Sequence, residues 1–175
     1  MRRLRLLRIQ DVTHLCKHLG SSLNELAHLC LKPEWYYRQG PRRIKGKTRH
    51  IATPEGRLRQ ILDRLQALLQ RVVLPESIHG GVKGHSPRTN AVVHLRKPVV
   101  LCMDIKDFFP SITNRRVYAM FRETLKCAPD VARILTRLCT LNGSLPQGSP
   151  TSTIVAALST VRLSNRLEQL ANRHI

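Results

Sequence analysis

Through residues 55–75, apolar side chains recur at intervals of three and four: Leu58, Ile61, Leu62, Leu65, Leu68, Leu69 and Val72. Arg57, Arg64 and Arg71 fall on other faces, and Pro75 closes the pattern. This spacing predicts one amphipathic helix whose apolar stripe is core. Residues 11–31 carry the same period in two pieces, Val12, Leu15 and Leu19, then Leu23, Leu26, Ala27 and Cys30, with Ser21 or Ser22 as an N-cap between two short helices. Val117, Met120, Phe121 and Leu125 mark another helix, and Val131, Ile134, Leu135, Leu138 and Cys139 the next. A last helix is expected over residues 151–171, apolar along Ile154, Val155, Leu158, Val161 and Leu170.

Two segments have the period of strands. Residues 42–54 alternate around a Gly46-Lys47 turn, which predicts a β-hairpin with Arg43, Lys45, Lys47 and Arg49 along one basic ribbon. Residues 99–103 form an apolar run that reads as a buried central strand ending at Asp104. Trp35, Tyr36 and Tyr37 read as a connecting loop packed on the core. The fold class expected is α/β, α+β in stricter terms, with helices packed on a small, mostly antiparallel sheet.

Charge changes this picture more than length does. The 175 residues carry 30 basic and 11 acidic side chains, a formal charge of +19, and 22 of the bases are arginine. Guanidinium forks match phosphates bidentately and stack on bases, so the balance favours a nucleic-acid partner over a merely solvated surface. No segment has the apolar length of a membrane span. The basic start, residues 1–10, lacks the continuous hydrophobic region and small-residue cleavage site of a secretory signal, so a cytoplasmic protein is expected. Five cysteines stand singly without CxxC spacing and eight histidines are dispersed, which excludes a zinc or disulfide framework.

Candidate chemistry begins where the apolar run ends. Asp104 and Asp107 cluster in a chain poor in acid, followed by Phe108 and Phe109. A carboxylate at the tip of a buried strand needs a partner, and a divalent metal serving phosphoryl transfer is one. Ion pairs with Lys106 or nearby arginines are the plainer alternative. The hairpin cations Arg42, Arg43, Lys45, Lys47 and Arg49 suit phosphate, although a solvated hairpin tip is the bland reading. Residues 79–95 hold three glycines with Lys83, then Asn90 and His94; the glycines let backbone approach a ligand closely.

DIKDFF (residues 104–109) and LPQGSP (residues 145–150), in this order behind a basic hairpin, resemble the fingers and palm of a reverse transcriptase. NAVVH (residues 90–94) fits the NAxxH signature of retron-type enzymes, and HGGVKGHS (residues 79–86) resembles the corresponding loop. The resemblance runs from about Trp35 to the last residue and implies an RNA-directed DNA polymerase using Mg²⁺, or Mn²⁺, on an RNA template, an RNA–DNA hybrid and dNTPs. It implies metal binding by Asp104 and the Ile105 carbonyl, and backbone around Asp107 and Phe108 facing the incoming triphosphate. Phe109 resembles the steric gate against a ribose 2′-hydroxyl, and Gln147 the glutamine that touches nucleotide and template base. Arg49, with Lys45 or Lys47, resembles the fingers cations. Arg42, Arg43, Lys83, Asn90 and His94 complete the expected nucleic-acid contacts. On this reading residues 1–34 are an N-terminal helical segment, 35–97 fingers-like, and 98–175 a partial palm.

One departure is large. The family's second carboxylate source is a YxDD hairpin, and these 175 residues contain no YxDD and no Asp after Asp130. The expectation is therefore a polymerase portion, inactive alone, whose missing palm and thumb is itself a partner, with a role in phage defence for the complete enzyme. The other class of reading is a non-catalytic RNA-binding module derived from the same fold. A group II intron or diversity-generating enzyme is disfavoured by NAxxH.

Overall fold

The computed structural model describes residues 9–44, 46–82 and 84–173. Lys45 and Lys83 lie outside the described residues. Among these residues the chain forms eight α-helices and one two-stranded antiparallel sheet, a mixed α/β fold with most of its mass helical. In chain order the elements are α1 (Val12–Leu19), α2 (Leu23–Leu31), β1 (Tyr37–Ile44), β2 (Lys47–Pro54), α3 (Gly56–Leu69), α4 (Pro87–Val92), α5 (Phe108–Ser111), α6 (Asn114–Ala119), α7 (Pro129–Cys139) and α8 (Ser152–Arg173). No helix among the described residues is long and apolar enough to cross a membrane.

The helical periods locate the core. Leu58, Ile61, Leu62, Leu65 and Leu69 of α3 are fully buried, and they meet Leu15 and Leu19 of α1, Leu26 of α2, Val131 and Leu135 of α7 and Ile154, Val155 and Leu158 of α8. Phe121 is fully buried in this cluster, in one turn of π-helix (Met120–Thr124) that follows α6.

Local chemistry sets the helix ends. Asp11 accepts the His14 amide at 2.7 Å at the start of α1, and Gly20 turns left-handed at its end. Ser22 caps α2 by accepting the Glu25 amide at 3.2 Å. Arginines of α3 then tie the two helices down. Arg64 donates to the Leu19 carbonyl at 2.8 Å, Arg57 to the Gly20 carbonyl at 2.7 Å and to Glu25 Oε1 at 2.6 Å. Part of the arginine content is thus structural, which charge alone did not foretell.

The Arg57 guanidinium, with help from the Ser21 hydroxyl, holds the Glu25 carboxyl down to about 2. Its free value of 4.5 lies above that, so the pair stabilises the fold above pH about 4.5 and loses its effect as pH falls toward about 2. Glu25→Gln is expected to lower the melting temperature by a few degrees near neutrality, with the gap to wild type closing across that acid window. A gap unchanged down to the acid end, measured by thermal melts at stepped pH, would show that the pair contributes nothing through its charge.

Two expectations need correction. The strand foreseen at residues 99–104 is absent: residues 99–105 run without ladder hydrogen bonds, and Val99 and Leu101 are 82% and 77% exposed. A strand is stabilised by cross-strand neighbours, and among the described residues β1 and β2 pair only with each other. The hairpin does form, but Ile44 pairs with Lys47, so it closes one residue earlier than the predicted Gly46-Lys47 turn, and the expected ribbon of Arg43 with Lys47 and Arg49 does not hold. Directly opposed residues share a face of the hairpin, and so do residues two apart on one strand. Arg42 lies directly opposite Arg49, and Lys47 shares their face, whereas Arg43 lies on the other face opposite Thr48.

Candidate nucleotide and nucleic-acid site

Two of the sequence motifs, the LPQG turn and the basic hairpin, meet in space beside the segment that follows DIKDFF. The Ile112 carbonyl, at the end of the segment that follows DIKDFF, accepts the Leu145 amide at 3.1 Å, and the Asn114 amide donates to Gly143 at 2.9 Å. A short antiparallel bridge between Thr113 and Ser144 lies between these bonds. The LPQG turn then reaches the hairpin, where the Ala52 amide donates outside its own ladder to the Gln147 carbonyl at 2.8 Å. The Ser152 hydroxyl braces the turn from α8 by donating to the Pro146 carbonyl at 2.6 Å. Gly148 sits at φ 121, so close to β2 that a Cβ there would lie 2.7 Å from Ile51 Cγ2 and 2.9 Å from the Ala52 oxygen. Glycine is required at this position by both conformation and space.

The cations lie farther along the same hairpin. Tyr37 and Ala52 anchor its base in the core. Arg42, Lys47 and Arg49 are exposed toward its tip and have no ion-pair partner among the described residues. The hairpin therefore presents a three-cation face on an element fixed to the LPQG turn. Arg38 on that face is instead paired with Glu55 at 3.0 Å.

Asp104, Ile105 and Asp107 are exposed. Asp107 adopts a left-handed conformation, φ 49, immediately before α5, and its carbonyl accepts the Ser111 amide at 2.9 Å. Asp tolerates that conformation better than most residues. Neither carboxylate has an ion-pair or hydrogen-bond partner among the described side chains, so the pairing with Lys106 or arginine that sequence left open is not formed there. Nor do three or more Asp, Glu, His or Cys side chains gather to hold a metal among the described residues. Mg²⁺ demands an octahedral set of oxygens, and the donors present do not by themselves fit it. Phe108 and Phe109 are half-buried against the main core with ring centroids 5.6 Å apart. Phe108 also lines a cavity of about 280 Å³ with His79, Gly80 and Thr153.

NAVVH occupies the end of α4 and the turn after it, a helix the sequence reading missed. The signal for it was present: Ser86 and Thr89 form a reciprocal capping box around Pro87. Asn90 and His94 are exposed, and no described hydrogen bond joins their side chains, or Asp104, to the hairpin–LPQG junction. The glycine-rich segment before them is held locally, with His79 Nδ1 3.2 Å from the Thr89 hydroxyl and the His79 and His85 rings 4.4 Å apart.

No family model matches the chain. It is 36% identical over 129 residues, 71% of its length, to the retron Se72 reverse transcriptase of Salmonella heidelberg. It is 33% identical over 148 residues to the retron Mx65 reverse transcriptase of Myxococcus xanthus, and 35% over 114 residues to the retron Ec86 reverse transcriptase of Escherichia coli, covering 74% and 65% of the chain. The chain spans about a third of the length of these curated relatives, 34%, 34% and 33% respectively. By descent it belongs to the reverse transcriptases. Within them it is of the retron type.

Proposed function

We propose that the chain supplies the fingers and the first part of the palm of an RNA-directed DNA polymerase that copies a structured RNA into DNA from dNTPs in the cytoplasm. The observation that carries this reading is the junction of β2, the LPQG turn and residues 112–114, which ties a cationic hairpin to the turn bearing Gln147. Phosphoryl transfer is catalysed by positioning and charge neutralisation, so cations held rigidly beside a nucleotide-contacting turn are what it needs from a protein. In this reading Arg42, Lys47 and Arg49 neutralise the triphosphate, Gln147 contacts the nucleotide and template base, and Lys83, Asn90 and His94 meet the nucleic acid. Two divalent ions would supply the remaining charge when bound, with Asp104 contributing one ligand and a carboxylate pair from outside these residues the others.

The purified 175-residue chain is then expected to incorporate no dNTP on any primer–template with Mg²⁺ or Mn²⁺. Adding the remaining palm and thumb of a retron reverse transcriptase, in trans or by fusion, should restore synthesis. Robust incorporation by the chain alone would overturn the reading of the missing motif. A second reading, an RNA-binding module without chemistry, is favoured by the exposure of Asp104, which joins no group of three or more metal-ligating side chains among the described residues.

Phe109 tests the same site through sugar selection. If its ring crowds a ribose 2′-hydroxyl, Phe109→Ala in the completed enzyme should admit rNTPs while dNTP use partly survives, whereas Phe108→Ala should lower stability or overall rate. The half-burial of both rings against the core states the competing expectation, loss of stability from either change with sugar selectivity intact. The ratio of dNTP to rNTP incorporation decides, and an unchanged ratio at Phe109 removes the gate.

A further inference from the structure

A groove of about 700 Å³ opens between α2, α6 and α7, among residues the polymerase reading leaves unused. Its floor is apolar. Leu23, Ala27 and Leu31 lie four residues apart along α2, facing Ile134 of α7. Leu23 is 55% exposed and Leu31 69%, so this is an amphipathic helix face without a partner among the described residues. Its rim is cationic, formed by Arg115 of α6 and by Arg133 and Arg137, one turn apart on α7. None of the three joins an ion pair among the described residues. Asp130, the one carboxylate in the lining, is engaged by the Val131 amide of its own helix at 2.9 Å.

Two neighbouring helices with an open apolar trough between them are the seat for a third helix, because side-chain ridges along such a helix fill the trough. The charge fixes its character. Three unpaired guanidiniums around an apolar floor call for carboxylates flanking an apolar stripe. A nucleic-acid strand could satisfy the rim but has no aliphatic face for the floor. We propose that this groove docks an acidic amphipathic helix of a partner protein, carrying apolar residues at i, i+3 or i+4, and i+7. With α2 nine residues long and α7 eleven, the seat accommodates about three turns. The proposal does not rest on the polymerase reading and survives its failure.

The test uses the whole chain and a fluorescein-labelled helical peptide of about 15 residues with a leucine stripe flanked by glutamates, followed by anisotropy near physiological salt. Because a +19 chain attracts any anion, the controls carry the weight. Leu23→Gln/Leu31→Gln changes exposed positions without altering charge, and Arg133→Glu/Arg137→Glu reverses the rim. Each should weaken binding at least about tenfold, while Arg166→Glu/Arg173→Glu on α8 should change it by less than about twofold. Thermal melts confirm that each variant is folded. The same peptide with lysine for glutamate, or serine for leucine, should not bind. The docking site is refuted if the acidic peptide fails to bind, or if the α8 reversals weaken it as much as the rim reversals. It is equally refuted if the serine peptide binds as well, which would mark a general anion surface, or if an RNA oligonucleotide displaces the peptide and loses affinity in parallel on rim reversal, which would make the groove a nucleic-acid contact.

Discussion

Asp104→Asn in a completed polymerase is expected to lower DNA synthesis by on the order of 10³-fold or more, while the isolated chain keeps its stability and its affinity for RNA. The first effect follows from charge. A carboxylate that holds a catalytic cation stabilises charge developing in the transition state, and removing one such stabilising group costs roughly 10²–10³ in rate even where a single hydrogen bond is lost. The second follows from position. Asp104 is exposed on a segment without regular structure, so its amide isostere should change folding stability by less than about 0.5 kcal/mol. The two readings of the chain part here. A module that only binds RNA should be indifferent to this substitution in every assay, or bind slightly tighter as one negative charge disappears. Full polymerase activity of the Asp104→Asn enzyme would remove Asp104 from the chemistry, and a large loss of RNA binding by the isolated variant would make it part of the RNA surface. Asp107→Asn is the internal comparison: its proposed role is played by backbone, so the loss should be smaller.

What sequence could and could not foresee follows from the range of the interactions. The stripe of α3, the division of α1 from α2 at Ser22, and the apolar faces of α7 and α8 depend on period and caps, and they appear close to where the pattern placed them. The hairpin depends on its turn. Pairing closes one residue earlier than expected, with Gly46 at φ 79 just before Lys47 pairs back. Arg42 rather than Arg43 shares the face of Arg49, because opposed residues across the ladder, not alternate residues counted through the turn, share a face. Residues 99–104 are a harder case. Five apolar residues in a row resemble a buried strand, but a strand exists only beside a neighbour, and period says nothing about whether one is there. The period alone predicts plain helix over Met120–Thr124, where the structure has a π-turn, since the apolar positions there still face the core. The motifs themselves were legible as residue types. Their meeting at Ile112, Leu145, Gln147 and Ala52 was not, because it is made by backbone groups whose partners are more than thirty residues away along the chain.

That junction gives the second large effect. Gly148→Ala is expected to destabilise the chain by roughly 1–3 kcal/mol and to loosen β2 from the LPQG turn. Two costs combine. At φ 121 an L side chain is strained whatever surrounds it, and here the added Cβ would meet Ile51 Cγ2 at 2.7 Å and the Ala52 carbonyl oxygen at 2.9 Å. A methyl group can rotate aside, but the oxygen belongs to the backbone of β2 and moves only if the strand moves. The bond at risk is the one from the Ala52 amide to the Gln147 carbonyl, the neighbouring residue. Gly143→Ala separates strain from contact, because Gly143 also has positive φ, 85, yet a Cβ there meets nothing within 4 Å. It should therefore cost only about 1 kcal/mol of backbone strain and leave the Ala52 amide protected. Hydrogen exchange reads this directly: the Ala52 amide should exchange faster in Gly148→Ala and not in Gly143→Ala, with the lower melting temperature in the former. In a completed polymerase the same variant should raise the KM for dNTP, since Gln147 and Arg49 sit on the two sides of the loosened contact. Equal melting temperatures and equal Ala52 protection in the two glycine variants would mean that the turn is not fixed to the hairpin, and the site built on that contact would fall with it.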